Sequence, residues 1–284
     1  MLATRPIEAD ELPEVGLFLH RNLKARVQPA QWISSLNHSW SDVRPNFGMQ
    51  LRDNDALVGV CCAIYSDQMI DGKVERFCNP HSWCVLPSHR SSGIGVVLSL
   101  LKQRGYHFTM FTPNAKVTQI FLGLRFRLLD DRLLYFPNVP SLSTRGNGRF
   151  IETDPGRIEQ RLAGPAARDF SLHRSIPWLH FIAFGAHDDV CLTIYKTGRW
   201  KKLPCARIIY VSNPGALARH GHLLRHHLCA TKGLLVSRIE ARFVESNPPL
   251  SHRAIRTQPK LVLTKALEDR QVLDTYSELV ALDV

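Results

Sequence analysis

The sequence predicts an α/β protein made of two units in tandem, and three observations lead to that prediction. Strand-like runs alternate with apolar helical segments along the whole chain. With 284 residues the chain has room for two domains of ordinary size. The order strand, turn, strand, strand, helix, strand also occurs twice, over 47–112 and over 179–242. No residue identity accompanies this repeat, so it is a prediction about topology.

The first half reads as a helix, a set of strands and two further helices. Residues 5–40 open with Arg5-Pro6-Ile7 and then read as helical, because Leu12, Val15, Leu19 and Leu23 recur at helical spacing. Strand-like segments then cover 47–52, 56–65, 74–86 and 107–112, with two more strands in 125–136 that turn at Asp130-Asp131. Helices are expected over 96–104 and 113–122, the first of them ended by Gly105.

The second half follows a segment rich in Pro, Gly, Ser, Thr and Asn between residues 137 and 165. Such a composition is typical of a connection between domains. We therefore expect a first domain over 1–140, a linker over 141–165 with a short helix near 157–162, and a second domain over 166–284. Within that second domain, strands are predicted at 179–184, 190–196, 204–211 and 234–242, with a helix over 213–231.

The charge is unevenly distributed and favours anionic partners. Residues 1–140 carry 15 basic and 12 acidic side chains, whereas residues 141–284 carry 21 and 13, within a total of +11. The longest apolar runs are far shorter than the roughly 20 residues of a spanning helix, so no membrane insertion is expected. Acidic residues near the N-terminus argue against a secretory signal, and seven cysteines without a CxxC argue against disulfides and structural zinc. These features predict a cytoplasmic protein with reduced thiols.

The most informative segment is the strand–turn–helix junction between Val85 and Val96, which contains Gly93 and Gly95. A helix N-terminus presents backbone N–H groups and a positive dipole, so this junction predicts a pyrophosphate site. Glycine allows close approach of an anion, and Arg90 and Ser92 add charge and a hydroxyl group. The spacing excludes a P-loop and a GxGxxG motif. The alternative is an ordinary strand–helix turn with glycines at its caps.

This junction resembles the [RQ]-x-x-G-x-[GA] acetyl-coenzyme A loop of the GNAT acyltransferases. Downstream, Thr112-Pro113-Asn114, Ile120-Phe121 and Leu124-Arg125-Phe126 are similar to the Asn-bearing loop of that family and to the helix that follows it. The resemblance covers roughly residues 5–136. It implies the acyl-CoA N-acyltransferase fold, an α+β arrangement on a mixed sheet, with a degenerate second GNAT-like unit in tandem.

The resemblance also implies roles for individual residues. The pyrophosphate of acetyl-CoA, or of another acyl-CoA, would lie on Arg90, Ser91, Ser92, Gly93, Ile94, Gly95 and Val96. Cys84 and Val85 would hold the pantetheine arm, and Asn114 would contact its other side. The tyrosine that usually protonates the thiolate falls at Phe121, a cofactor-binding position with no proton to donate. Arg125 replaces the glycine that usually precedes Phe126.

The general base is predicted from alternation along the strand 74–86. Without a bulge, Glu75, His81 and Trp83 would share one face of that strand. We favour His81 over Glu75, because it lies closer to the expected thioester and has an ordinary pKa near 6.5. The alternatives are a half-buried structural histidine and a solvated rim carboxylate. No metal is expected, since the pair His222 and His226 has no evident third ligand.

Together these patterns predict an acyl-CoA-dependent N-acyltransferase, with acetyl-CoA as cosubstrate. The acceptor would be an amine on a small molecule, an amino sugar or a carrier-linked intermediate, and the charge of the second half favours an anionic one. Two alternatives stay open: a catalytically weak coenzyme A-responsive or partner-binding module, and transfer to tRNA-linked amino acid or a protein N-terminus. The basic second half could line the acceptor cleft or form a homodimer surface. Arg199-Trp200-Lys201-Lys202 would stack on a base or sugar, or pack on its own domain.

Overall fold

The computed structural model describes residues 1–130, 132–141, 146, 148–256 and 258–283. The chain divides into two compact units. Unit 1 comprises Met1–Leu129, Gln258–Leu267 and Tyr276–Val284, and unit 2 comprises Asp130–Thr257 and Glu268–Thr275. Each unit contains a seven-stranded mixed sheet with helices, which confirms the predicted α/β class. Over the described residues, no helix combines the length and apolar character needed to cross a membrane.

Unit 1 is built on a sheet with the order β1-β2-β3-β4-β5-β14-β6. Its strands are β1 (Leu2–Pro6), β2 (Gly48–Asp53), β3 (Ala56–Ile70), β4 (Lys73–Val85), β5 (His107–Met110), β6 (Arg127–Leu128) and β14 (Leu261–Leu263). Its helices are α1 (Leu12–Asn22), α2 (Pro29–Leu36), α3 (Gly93–Leu101), α4 (Ala115–Gly123) and α8 (Glu278–Ala281). Among the described strands of this sheet, β4 and β5 are parallel neighbours and the other pairs are antiparallel.

Unit 2 is built on a sheet with the order β13-β7-β12-β11-β10-β9-β8. Its strands are β7 (Arg132–Pro137), β8 (Arg149–Glu152), β9 (His180–Ala186), β10 (Asp189–Trp200), β11 (Leu203–Val211), β12 (Val236–Glu240) and β13 (His252–Ile255). Its helices are α5 (Pro155–Arg161), α6 (Gly164–His173) and α7 (Pro214–Ala230). Here β11 and β12 are the parallel pair.

The two sheets have the same strand pattern, and each takes one strand from a distant part of the chain. If each sheet is read from β1 in unit 1 and from β8 in unit 2, its first five strands are consecutive in the chain. The sixth strand comes from a distant part of the chain. That sixth position is occupied by β14 in unit 1 and by β7 in unit 2, each antiparallel to both neighbours. The order β9, β10, β11, α7, β12 therefore corresponds to β2, β3, β4, α3, β5, the repeat of topology seen in the sequence.

Because β7 joins the sheet of unit 2 and β14 joins the sheet of unit 1, the boundaries of the two units differ from the predicted ones. We expected residues 1–140 to form the first domain, but β7 pairs with β12 and β13 in unit 2. Residues 258–267 and 276–284, expected in the second domain, belong to unit 1. Apolar alternation shows that a segment is a strand but not which sheet it joins, so these assignments could not be made from the sequence.

The predicted linker over 141–165 also contains regular structure of unit 2, although residues 142–145 and 147 lie outside the described part. Strand β8 pairs with β9, and α5 begins at Pro155 after Asp154, whose side chain accepts the Arg157 amide at 3.0 Å. A proline at the first helical position and an aspartate before it favour a helix start. The composition that suggested a linker therefore reflects helix caps and turns.

Each sheet packs a hydrophobic core against the helix that connects its two parallel strands, α3 in unit 1 and α7 in unit 2. In unit 1, Val96, Val97 and Leu100 of α3 are fully buried and pack with Cys78 of β4 and Phe108 of β5. Side chains of this size stabilise the fold by about 1.5–3 kcal/mol each when they are fully buried. These contacts hold the N-terminal end of α3 next to the end of β4, where the sequence predicted a site.

Candidate functional site

A β-bulge near the end of β4 changes which side chains face the core. The register between β3 and β4 breaks between Val60 and Cys62, opposite Ser82, which has a left-handed φ of 51°. Before the bulge Cys78 packs into the α3 core, and after it Trp83 and Val85 do so. The expectation that Trp83 shares a face with Glu75 and His81 is therefore wrong, because one extra residue reverses the alternation.

The two parallel strands of unit 1 stay paired for only two residues. Phe77 pairs with His107 and Cys78 with Phe108, while β4 continues to Val85. Beyond that point the Asn79 side chain spans the strands, since its Nδ2 donates to both the carbonyl and the hydroxyl of Thr109 at 3.1 Å. We call the gap that follows the β4–β5 opening. Such an opening exposes backbone donors and acceptors that no neighbouring strand satisfies.

The C-terminal segment places a buried carboxyl group, Glu278, at this opening. The Glu278 amide donates to Asn79 Oδ1 at 3.3 Å, and Thr112 Oγ1 donates to Glu278 Oε1 at 2.7 Å. The other oxygen, Oε2, is buried and has no hydrogen-bond partner among the described residues. Burial raises the pKa of Glu278, although the hydrogen bond from Thr112 and the charge of Lys260 act in the opposite direction. A carboxyl group with a raised pKa and an unused oxygen is suited to proton transfer.

Sequence reasoning did not find Glu278. It lies almost 200 positions from Asn79, and the segment around it carries no motif. Its placement depends on the return of the chain to unit 1 through β14 and residues 276–284.

The predicted pyrophosphate loop forms a 3-10 helix over Pro87–Ser92 that leads directly into α3. Its two glycines differ. A Cβ at Gly93 would lie 3.2 Å from a Val85 methyl group, a tight contact, and the Gly93 amide donates to the Arg90 carbonyl. A Cβ at Gly95 would meet nothing within 4 Å. Gly95 is thus the position at which a ligand can approach the backbone of the first turn of α3.

The other predicted loop residues divide by exposure. Arg90, Ser91 and Ile94 are exposed and Ser92 is half-buried, whereas the Val96 side chain is fully buried in the core. Val96 can therefore contribute only backbone atoms to a ligand.

At the end of β4, just before the loop, Cys84 is buried and Val85 is half-buried. Burial raises the pKa of the Cys84 thiol, and the nearby charge of Arg90 only partly offsets this. The thiol therefore stays protonated at neutral pH and is not an activated nucleophile.

Asn114 and Phe121 lie at the start and near the end of α4. Asn114 caps that helix, because its Oδ1 accepts the Val117 amide at 2.9 Å. Phe121 is fully buried, with its ring edge-on to Phe126 at 4.9 Å and to Trp83 at 6.4 Å. Phe121 is thus a core residue that does not present its ring at the surface.

The two predicted bases lie in different surroundings. His81 is buried, its Nδ1 lies 2.9 Å from Ser82 Oγ, and its Nε2 has no partner in the described part of the chain. Burial, helped by the charge of His38, lowers the pKa of His81 to about 3. The ring is therefore neutral at physiological pH and a weak base.

Glu75 lies near the start of β4, and Cys84 lies at its other end. The Glu75 carboxylate lies 2.9 Å from His107 Nε2 at the beginning of that strand. Cys84 lies nine positions further along the strand, a rise of roughly 30 Å at the usual β-strand spacing. Glu75 is therefore far from the strand end expected to hold the pantetheine arm, and its role as a base stays a prediction.

No cluster of three or more His, Cys, Asp or Glu side chains able to hold a metal ion occurs in the described ranges. The residues gathered at the site are suited to binding an anion at Gly95 and to moving a proton at Glu278 or His81.

Solved structures with the same fold belong to N-acetyltransferases. The chain is similar to a GCN5-related N-acetyltransferase from Anabaena variabilis, with a TM-score of 0.62 and 10% identity over 92% of this chain and 72% of that one. A probable N-acyltransferase from Enterococcus faecalis matches with a TM-score of 0.58 and 10% identity, over the same shares. A GCN5-related N-acetyltransferase from Kribbella flavida matches with 0.56 and 14% over 92% and 71%.

No protein-family model matches the sequence, and no curated protein matches it significantly. At identities of 10–14% the likeness to solved structures concerns the fold alone. The chain has the fold of the GCN5-related N-acetyltransferases.

Proposed function

We propose that this protein is an acyl-CoA-dependent N-acyltransferase and that unit 1 carries its active site. Two neighbouring features support this most directly. One is the β4–β5 opening, and the other is the first turn of α3, which follows β4 in the chain. The opening offers backbone groups to an extended, amide-bearing arm, and Gly95 leaves room for a pyrophosphate at the helix N-terminus. Pantetheine linked to a pyrophosphate has both parts.

In this proposal the chain binds the cosubstrate mainly through its backbone. The backbone amides around Gly95 would donate hydrogen bonds to the pyrophosphate, with the exposed Arg90 guanidinium beside them. Backbone groups of Cys84 and Val85 would bind the pantetheine amides. The Asn114 side chain already caps α4, so we assign it a positioning role for that helix.

The reaction would be direct transfer to an amine. The amine nitrogen attacks the thioester carbonyl carbon, the C–N bond forms, and the C–S bond breaks to release coenzyme A as a thiolate. A base must take the proton that the amine loses. We assign that role to Glu278, because its Oε2 is unused and its raised pKa makes it a stronger base than an ordinary carboxylate. His81 is the second candidate, since its Nε2 is also unused but its pKa is low.

Phe121 favours one alternative function. The position that would donate a proton to the thiolate is a buried phenyl ring, so this group cannot assist departure of coenzyme A. A module that binds acyl-CoA without turning it over would tolerate that loss. The two functions differ in release of free thiol from acetyl-CoA in the presence of amines.

Calorimetric titration with acetyl-CoA tests the proposal. Gly95→Glu should reduce affinity at least tenfold, because the new carboxylate would occupy and repel the pyrophosphate position. Gly123→Glu is the matched control, since a Cβ there also meets open space but lies at the other end of a helix, α4. Equal affinity of both variants and the wild type would contradict the site. Gly93→Glu is unsuitable, because it would disturb the packing on Val85.

An amine panel with a thiol-release assay then separates the two functions. Transfer to at least one primary amine, with stoichiometric thiol, supports the enzyme. Tight acetyl-CoA binding without thiol release across amino sugars, amino acids and polyamines would favour the binding module instead.

A further inference from the structure

One face of the sheet in unit 2 carries a row of cationic and aromatic side chains. Across β10, β11, β12, β7 and β13 the directly paired residues are Lys196, Arg207, Arg238, Tyr135 and His252. Residues paired across a sheet project from the same face. The alternate positions, such as Ala206 and Leu134, pack into the core with α7, so the row lies on the opposite face.

The two arginines of this row lie close to a third, Arg256, which follows β13. Arg207 and Arg238 are direct partners on adjacent strands, about 5 Å apart at their backbones. Arg256 reaches the same place, because its Nη2 donates to Glu240, two residues after Arg238 on β12. After burial, the charges of Arg256 and Arg207 lower the pKa of Arg238, which shows how close the three groups are.

The carboxylates nearby do not balance these charges. Glu240 is shared, since one oxygen accepts from Arg256 and the other from Arg242 at 2.8 Å. Neither Arg207 nor Arg238 forms an ion pair with any residue that the structure describes. The Arg256 Nε is buried and has no acceptor there either. Like charges held together in a half-buried place are costly unless an anion joins them.

The surroundings hold the arginines in place. A Cβ at Gly198 would lie 2.5 Å from Arg207 Nε, so the guanidinium rests against this glycine and would have to move if a side chain were added there. Tyr135, hydrogen-bonded to Arg238, stacks on Trp200 with ring centroids 4.9 Å apart and planes 26° apart. The aromatic residue of the basic hairpin therefore packs on its own unit and forms a wall beside the arginines.

We propose that this arginine face, made of Arg207, Arg238, Arg256, Tyr135 and Trp200, is a binding site for the phosphate group of a small phosphorylated molecule. Planar guanidinium groups match the paired oxygens of a phosphate, and two unpaired arginines suit a dianion better than a single carboxylate. The site goes beyond acyl transfer and does not depend on it. It also accounts for part of the positive charge in the second half, which a coenzyme A loop in unit 1 leaves unexplained.

Calorimetric titration of the full chain with inorganic pyrophosphate tests this inference, performed in the presence of saturating acetyl-CoA to occupy any site at Gly95. Arg207→Gln and Arg238→Gln should each weaken binding about 10- to 100-fold, since a charge-assisted hydrogen bond is lost. Arg199→Gln is the matched control, because Arg199 is exposed and adjacent to Gly198 on β10 but alternates to the other face. A parallel titration with a nucleoside diphosphate distinguishes an organic phosphate, which should bind more tightly, from the free ion.

A second readout covers variants that fold poorly. Gly198→Ala leaves every charge in place but displaces the Arg207 guanidinium, so it too should weaken pyrophosphate binding. Equal affinity of wild type, Arg207→Gln, Arg238→Gln and Gly198→Ala would overturn the proposal. So would binding of a short RNA that pyrophosphate cannot displace, because the face would then be a nucleic-acid surface.

Discussion

Each unit buries acidic side chains, and the two units treat them differently. In unit 2, Glu240 and Asp274 flank Arg242, which bonds them at 2.8 Å and 2.6 Å. Their charges are compensated, so this cluster contributes to structure. In unit 1, Glu278 uses one oxygen for Thr112 and leaves the other without a partner among the described residues. A buried acid that is incompletely satisfied is costly, and this cost agrees with the proton-transfer role proposed for Glu278.

The equivalent helix starts differ in the same way. In unit 1, the first turn of α3 is open above Gly95. In unit 2, α7 begins with Pro214, which lacks an amide hydrogen, and Asn213 accepts the Ala216 amide at 2.9 Å. A Cβ at Gly215 would meet Arg219 and Glu245 side chains at 3.1–3.2 Å. The same topology thus has an open helix start in one unit and a self-capped helix start in the other.

The largest expected effect concerns the compensated cluster of unit 2. Arg242→Ala would leave Glu240 and Asp274 without their shared buried partner, and we expect a loss of about 3–5 kcal/mol in the free energy of unfolding. Urea unfolding at pH 7 measures it. Arg174→Ala, which removes an exposed pair with Glu159, should cost no more than about 1 kcal/mol. Similar losses in both variants would refute the contrast between structural and surface pairs.

Glu278→Gln should lower the transfer rate about 100- to 1,000-fold, the range expected for loss of a general base. Affinity for acetyl-CoA should stay unchanged. Because the pKa of Glu278 is raised, its carboxylate form is lost as pH falls, so the wild-type rate should rise with pH through a value above the ordinary one for glutamate. A normal rate in Glu278→Gln together with a slow His81→Gln would transfer the role to His81.

A third effect is the acid sensitivity caused by His81. The pKa of His81 is about 3 in the folded protein and near 6.5 in the unfolded chain. Its full contribution to the free energy of unfolding is therefore present above pH 6.5 and is lost as the pH falls toward 3. Between pH 7 and pH 5 this should cost about 2 kcal/mol. Urea titrations at both pH values should show a smaller loss in His81→Gln, whereas the exposed His252→Gln should match the wild type.

Replacement of the glycine in the first turn of α7 tests the comparison between the starts of α3 and α7. Gly215→Glu should leave acetyl-CoA affinity within about twofold of the wild type, because α7 is already capped by its own side chains. Calorimetry on this variant beside Gly95→Glu provides the contrast. Loss of binding in Gly215→Glu alone would place the cosubstrate in unit 2.

The smallest expected effect is at the surface of unit 2. Arg219 and His220 hold Asp189 at 2.8 Å and 2.9 Å, and the hydrogen bond from Arg219 is the main reason that the pKa of Asp189 is lowered to about 2. The pair is exposed, so Asp189→Asn should cost under about 1 kcal/mol at pH 7 in urea unfolding. A larger loss would show that this pair, and not the Asn213 cap alone, closes the start of α7.

Local chemistry was readable in the sequence where neighbours along the chain determine it. The strand–turn–helix junction at 85–96 appears where it was predicted, although α3 begins at Gly93 and not at Val96. The bulge at Ser82 was not readable, because serine has no special preference for a left-handed backbone. For the same reason the predicted face of β4 was wrong beyond His81.

The amino-acid sequence by itself determined the α/β class, the repeated order of strands and helices, and the glycine-bearing helix start. These depend on periodicity and turn residues, which act over a few positions. The tertiary structure decided that β14 joins the sheet of unit 1 and β7 that of unit 2. It also placed Glu278 beside Asn79 and brought Arg207, Arg238 and Arg256 together. Such contacts join residues far apart in the chain, and pairing in a sheet depends on register and burial that no local pattern records.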